Sequence, residues 1–172
     1  MGTFSSLPID WSPFTVCAID EKAPYPRALT TPEGLGDRLR FVAFAELQAV
    51  NAFASAAKIF ETAPSAAREL WLELSREEEK HLNLLLVRMK ELEVSPSERP
   101  QSLALWQSFD HCKTAREFAV FMAKAEDRGR QAGEQFYETL LKIDTVTAEL
   151  FGRIAAEEKE HIKLAATVLE LL

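Results

Sequence analysis

Glu77-Glu78-Glu79-Lys80-His81 and Glu157-Glu158-Lys159-Glu160-His161 are two versions of one pentapeptide, set 80 residues apart. Each contains Glu-x-x-His. Residues three apart on an α-helix share a face, so Glu78 points with His81 and Glu158 with His161. The same 80-residue offset links Glu46 to Glu126, and the flanking text repeats there: Phe41, Ala43 and Ala45 answer Phe121, Ala123 and Ala125. The chain reads as one helical hairpin used twice, with Glu on the first arm and Glu-x-x-His on the second. Four carboxylates and two imidazoles that converge are a complete ligand set for two metal ions.

The turns test this reading independently. In an antiparallel hairpin, residues equidistant from the turn stand at the same height. Residue 62 lies midway between Glu46 and Glu78, and Thr62 opens the turn signal Thr62-Ala63-Pro64-Ser65. Residue 142 lies midway between Glu126 and Glu158, two residues before the break at Asp144-Thr145. Both glutamate pairs are therefore level, about 16 residues or roughly 24 Å from their turns.

Outward from the motifs, Thr31-Pro32-Glu33 is a helix start: a hydroxyl cap, proline at the first helical position, then an acid. Gly34 and Gly36 weaken it and move the first firm turn toward Leu35. The first long helix runs to about Glu61, with Leu39, Val42, Ala49, Val50 and Phe53 on the face of Glu46. The second spans about Ser65 to Leu92, with Leu70, Leu74, Leu82, Leu85 and Met89 at apolar spacing. Pro96 and Pro100 end it. The linker 95–113 carries Trp106 and Phe109 and reads as a crossover with a short helix at 101–109. His111, the third histidine, falls in it as a surface or capping residue. Thr114-Ala115-Arg116-Glu117 has capping-box spacing. The third long helix runs from about Ala115 to Lys142 and the fourth from about Val146 to Leu171. Gly129 and Gly133 follow Glu126 by three and seven residues. They predict either room for a small oxidant or substrate beside the metals, or close helix–helix packing.

Residues 1–31 hold four prolines, which prevent a long helix, yet carry Phe4, Leu7, Ile9, Trp11, Phe14 and Val16. They read as an extended arm laid on the bundle or on a neighbouring subunit, a pattern compatible with a homodimer. The remaining 32–172 form the bundle.

At 172 residues with 47% hydrophobic composition, the chain reads as a globular single domain. A net charge of −7 argues against nucleic-acid binding, because an acidic surface repels phosphate. Cys17 and Cys112 form no framework and read as reduced thiols of a cytoplasmic protein. No apolar run reaches the roughly 20 residues that span a bilayer, and the N-terminus has no signal-peptide pattern.

Glu46, Glu126 and the two Glu-x-x-His motifs resemble the ferritin-like di-iron carboxylate superfamily over roughly residues 35–171. The segment Arg40-Phe41-Val42-Ala43-Phe44-Ala45-Glu46-Leu47-Gln48-Ala49, with the two pentapeptides, is similar to an uncharacterised bacterial ferritin-like domain family. The resemblance implies an all-α fold, an antiparallel four-helix bundle with one long crossover between the second and third long helices. It implies that Glu46 and Glu126 are terminal ligands, that Glu78 and Glu158 bridge two metals, and that His81 and His161 take one metal each. Superfamily members often write Asp-Glu-x-x-His. Here Glu77 and Glu157 replace the Asp, as candidate partners for the outer ring nitrogen of each histidine.

Carboxylate and imidazole donors suit Fe(II) and Mn(II), and the motifs offer no thiolate. The expected cofactor is two metal ions, iron first and manganese second. The expected function is an oxidoreductase that uses O2 or peroxide on a substrate the sequence does not name, with no catalytic residue assigned beyond the ligands. A ferroxidase or iron-handling protein and a metal-stabilised structural module are the alternatives.

Overall fold

Helix boundaries fall where capping chemistry puts them. The computed structural model describes residues 3–18 and 21–172. It contains α1 (Pro32–Ile59), α2 (Ser65–Glu91), α3 (Ala104–Ser108), α4 (Ala115–Leu140) and α5 (Thr145–Leu171), with single 3-10 turns at Phe4–Ser6 and Phe109–His111. The Thr31 hydroxyl accepts from the Gly34 amide at 3.1 Å. Thr114 and Glu117 close the capping box before α4. The Asp144 side chain accepts from the Thr147 amide at 3.2 Å and caps α5. The two interhelical turns, between Ile59 and Ser65 and between Leu140 and Thr145, bracket the midpoints expected from the glutamates.

The fold is all-α. Two long hairpins, α1 with α2 and α4 with α5, are joined by a crossover through α3 and the 3-10 turn after it, an arrangement consistent with a ferritin-like four-helix bundle. Among the described residues, no helix is long and apolar enough to cross a membrane.

The helix start differs from expectation at one point. α1 begins at Pro32, not near Leu35. Gly34 does not fray the helix; it admits the incoming chain. A Cβ there would stand 1.8 Å from the Ala28 carbonyl oxygen, and one at Gly36 would stand 3.1 Å from a Val94 methyl. Both glycines serve close approach.

The chain divides into two compact units. Unit 1 comprises Met1–Ala52 and Ser75–Asp110. Here Ser75 Oγ donates to the Val50 carbonyl at 2.9 Å, and the Trp106 amide donates to Gln48 at 2.9 Å. The arm packs on its own chain. Phe4 meets Trp106 and Phe109 at ring separations of 5.7 and 5.5 Å; Trp11 and Phe14 both meet Phe44. A parallel bridge, Val16 to Gln101, ties it down.

Behind the arm lies an ionic network. Arg40 is fully buried on α1 and Asp37 is 6% exposed. Asp37 accepts from Arg40 at 3.0 Å, from Arg27 at 2.7 Å and from Arg99 at 2.5 Å. Glu98 accepts from Arg40 at 2.7 Å and from Arg27 at 2.9 Å. Burial alone would raise the Asp37 carboxyl. The Arg27 hydrogen bonds and the nearby arginine charges outweigh it and hold the group well below the usual carboxylate range.

Unit 2 comprises Phe53–Leu74 and His111–Leu172. Phe118 on α4 packs against Phe53, Phe60 and Trp71 at ring separations of 6.1, 6.0 and 5.6 Å, which joins segments of α1 and α2 to the second hairpin. Trp71 is 1% exposed and Leu70 only half-buried, so the apolar stripe of α2 starts one residue later than its leucine spacing suggests. Between α4 and α5, Phe136 stacks on Phe151 at 5.1 Å. A Cβ at Gly133 would stand 3.0 Å from the Ala155 Cβ, so Gly133 is a helix-contact glycine. Gly129 is exposed and a Cβ there would meet nothing within 4 Å.

The two glycines should therefore respond oppositely in urea unfolding. Gly133→Leu overpacks α4 against α5 and should cost about 1–3 kcal/mol. Gly129→Ala gains helix propensity and should stabilise by up to about 1 kcal/mol. The Asp37 network should show in pH dependence. Its carboxyl ionises at lower pH in the folded than in the unfolded chain. The stabilisation is therefore fully present above about pH 4 and is lost as pH falls toward the folded-state value. Asp37→Asn should cost about 3 kcal/mol at pH 7, the low end for breaking a buried pair because Glu98 still faces Arg40. Its deficit against wild type should narrow below about pH 4, as followed by urea unfolding across pH.

Candidate metal centre

α2 carries Glu78 and His81 among the buried Leu74, Leu82 and Leu85; the two ligand candidates are 0% and 1% exposed. His81 Nδ1 lies 3.5 Å from Glu78 Oε2. In unit 2, α5 repeats the arrangement. Glu158 and His161 are buried, with His161 Nδ1 3.2 Å from Glu158 Oε2. The same Nδ1 lies 3.9 Å from Oε2 of Glu126, which is buried on α4. Within both pentapeptides the two residues between Glu and His are exposed: Glu79 and Lys80 in one, Lys159 and Glu160 in the other. The helical period alone produces this alternation, since those positions are rotated about 100° and 200° from the glutamate.

One ligand atom from each of Glu78, His81, Glu158 and His161 lies within 4.8 Å of the others, and all four residues are buried. This is a cluster of two histidines and two glutamates able to chelate metal. The donor set fits such a group. Ligand atoms about 2.1 Å from an octahedral ion stand roughly 3 Å apart along an edge. The intramotif separations of 3.2 and 3.5 Å approach that value. Buried carboxylates also require a compensating charge, because an ionised group out of water is costly alone.

Of the six residues singled out in the sequence, four form this cluster and Glu126 stands beside His161. Glu46 is half-buried on α1 and falls outside the group of four. Glu77 is partly exposed and accepts from Lys80 Nζ at 2.6 Å; Glu157 accepts from Arg153 Nε at 2.9 Å. His111 lies exposed on the 3-10 turn after α3. Cys17 and Cys112 are free thiols. Among the described residues, the converging donors include none that the spacing had not already marked.

Paired helical hairpins with a buried His/Glu cluster define a domain consistent with the ferritin-like superfamily. Residues 12–170 match the family described as "Protein of unknown function (DUF455)", and the chain belongs to it. No curated protein and no solved structure matches the chain.

Glu78→Ala and His161→Ala should each lose most bound metal, as read by elemental analysis after loading and desalting. Glu79→Ala, whose side chain is exposed, should retain it. Chelator should lower the wild-type melting temperature by roughly 5–10 °C, the size expected from losing a ligand held at about a hundredfold above its Kd. It should leave Glu78→Ala nearly unmoved.

Proposed function

We propose that the chain is a dimetal carboxylate protein that holds iron and acts as an oxidoreductase toward O2 or peroxide. The observation that carries this reading is the buried convergence of two Glu-x-x-His motifs from separate helices. A single motif would supply two ligands; two motifs together would supply four. In this reading Glu78, Glu158, His81 and His161 would hold the metals, with Glu46 and Glu126 as the further carboxylate ligands. Manganese is the second choice, as the donors do not separate the two metals.

A reduced metal pair, when bound, would supply electrons to O2 or peroxide, and this chain's residues supply the conditions. Glu78, at 0% exposure, and His81, at 1%, keep bulk water from the inner side of the cluster. The carboxylates of Glu78 and Glu158 would offset the positive charge of bound metal. The flanking Leu74, Leu82 and Leu85 lower the local dielectric and strengthen every charge interaction inside. The exposed ends of the motifs, Lys80 with Glu77 and Lys159 with Glu134, keep compensating charge at the surface.

The deciding experiment is anaerobic Fe(II) titration followed by O2 or peroxide, monitored by near-ultraviolet absorption. Uptake should saturate at two Fe(II) per chain. Oxidation should be rapid and should reverse with a chemical reductant through repeated cycles. Uptake far beyond two with growing ferric mineral would indicate iron storage. Two bound ions that stay inert to both oxidants would indicate a structural site and overturn the enzyme reading.

A further inference from the structure

A second concave site is built from unit 1 residues that play no part in the metal cluster. The proline-rich segment 23–26, the early turns of α1 and residues 99–101 enclose a groove of about 230 Å³. One side is apolar: Pro24, Tyr25, Phe41 and Pro100. The other presents Arg38, Arg99 and Asp37.

The charges on the polar side do not cancel. Asp37 Oδ1 accepts from Arg27 and Arg40, and Oδ2 accepts from the Arg27 amide and Nε and from Arg99. Its acceptor capacity is occupied. Arg27, Arg40 and Arg99 against Asp37 and Glu98 leave one net positive charge in the network, on a chain whose net charge is −7. Arg99 donates from Nη1 to Asp37 and from Nη2 to the Tyr25 carbonyl at 3.0 Å, two of its five N–H donors. Those two bonds fix the guanidinium plane at the edge of the groove.

The apolar side is equally unusual. Phe41 is 60% exposed on a helix whose other phenylalanines, Phe44 and Phe53, are 2% and 1% exposed. Tyr25 is 90% exposed at the mouth of the same groove. Aromatic rings bury large area at small entropic cost, so two of them beside a fixed cation form a recognisable binding surface.

We propose that this groove binds a small organic acid, with a flat apolar body against Phe41 and Tyr25 and a carboxylate at Arg38 and Arg99. A carboxylate matches the planar guanidinium fork. A phosphate dianion, with charged oxygens on every side, does not suit a site whose walls are mostly apolar. The volume lies below the roughly 300–1,000 Å³ of drug-sized sites and so takes a metabolite-sized ligand.

Isothermal titration of the full chain with phenylacetate tests this. The neutral phenylacetamide and inorganic phosphate serve as comparators. Phenylacetate should bind saturably at one site per chain, and both comparators should bind at least about tenfold more weakly, the size of one lost charge-assisted hydrogen bond. Arg38→Gln and Phe41→Ala should each weaken phenylacetate at least about tenfold while keeping wild-type helicity and metal content. Unchanged affinity in either variant, absence of saturable binding, or phosphate as tight as phenylacetate would overturn the proposal. So would a sedimentation result in which the chain self-associates and Phe41→Ala dissociates it, since the aromatic face would then belong to a second copy.

Discussion

Burying carboxylate groups is the constraint on which the rest of this structure depends. Glu78, Glu126 and Glu158 lie at 6% exposure or less, with two imidazoles among them. An ionised carboxylate taken out of water is tolerated only where charge or hydrogen bonding replaces the solvent. That replacement requires side chains from different helices to meet within a few ångströms. On a helix a slip of one residue moves a side chain by 1.5 Å and about 100°. The devices that fix helix ends, Thr31, the Thr114–Glu117 box and Asp144, are therefore part of the site's construction. Each sets the register in which Glu and His face inward.

The same economy governs unit 1, where the arm must be held without regular structure. Prolines deny it a long helix, and among the described residues one bridge gives it a single rung of sheet. Aromatic rings supply the apolar area: Phe4, Trp11 and Phe14 fill against Trp106, Phe109 and Phe44. Direction comes from Arg27, which is held through both its backbone amide and its guanidinium by Asp37. Arg40, entirely buried, would be prohibitive alone, and Asp37, Glu98 and the Ser95 carbonyl together make it tenable. A network of this kind stabilises little relative to a well-packed apolar core, but it admits one arrangement of arm, α1 and crossover.

What could be read in advance follows from how local each signal is. Glu-x-x-His spans one helical turn, so its geometry is written in four letters, and its repetition made convergence legible before any coordinates. The turn midpoints worked for the same reason: hairpin height depends only on residue count. The role of Gly34 was not legible, because the Ala28 carbonyl that needs the space approaches from outside the helix. Nor was the Asp37 network, whose partners Arg27, Glu98 and Arg99 lie up to 62 residues away and share no spacing rule. Leu70 and Trp71 are both apolar neighbours, and only packing against Phe60 and Phe118 chooses the tryptophan.

The repeat also conceals an asymmetry. By offset, Glu46 and Glu126 are equivalent, yet Glu46 is half-buried and Glu126 is 6% exposed. The residues that follow them explain part of the difference. Seven positions after Glu126 stands Gly133, whose missing side chain lets α4 close on Ala155 of α5, and Glu126 then lies 3.9 Å from His161. Seven positions after Glu46 stands Phe53, a full ring packed on Phe118. The second hairpin thus buries its glutamate more fully than the first.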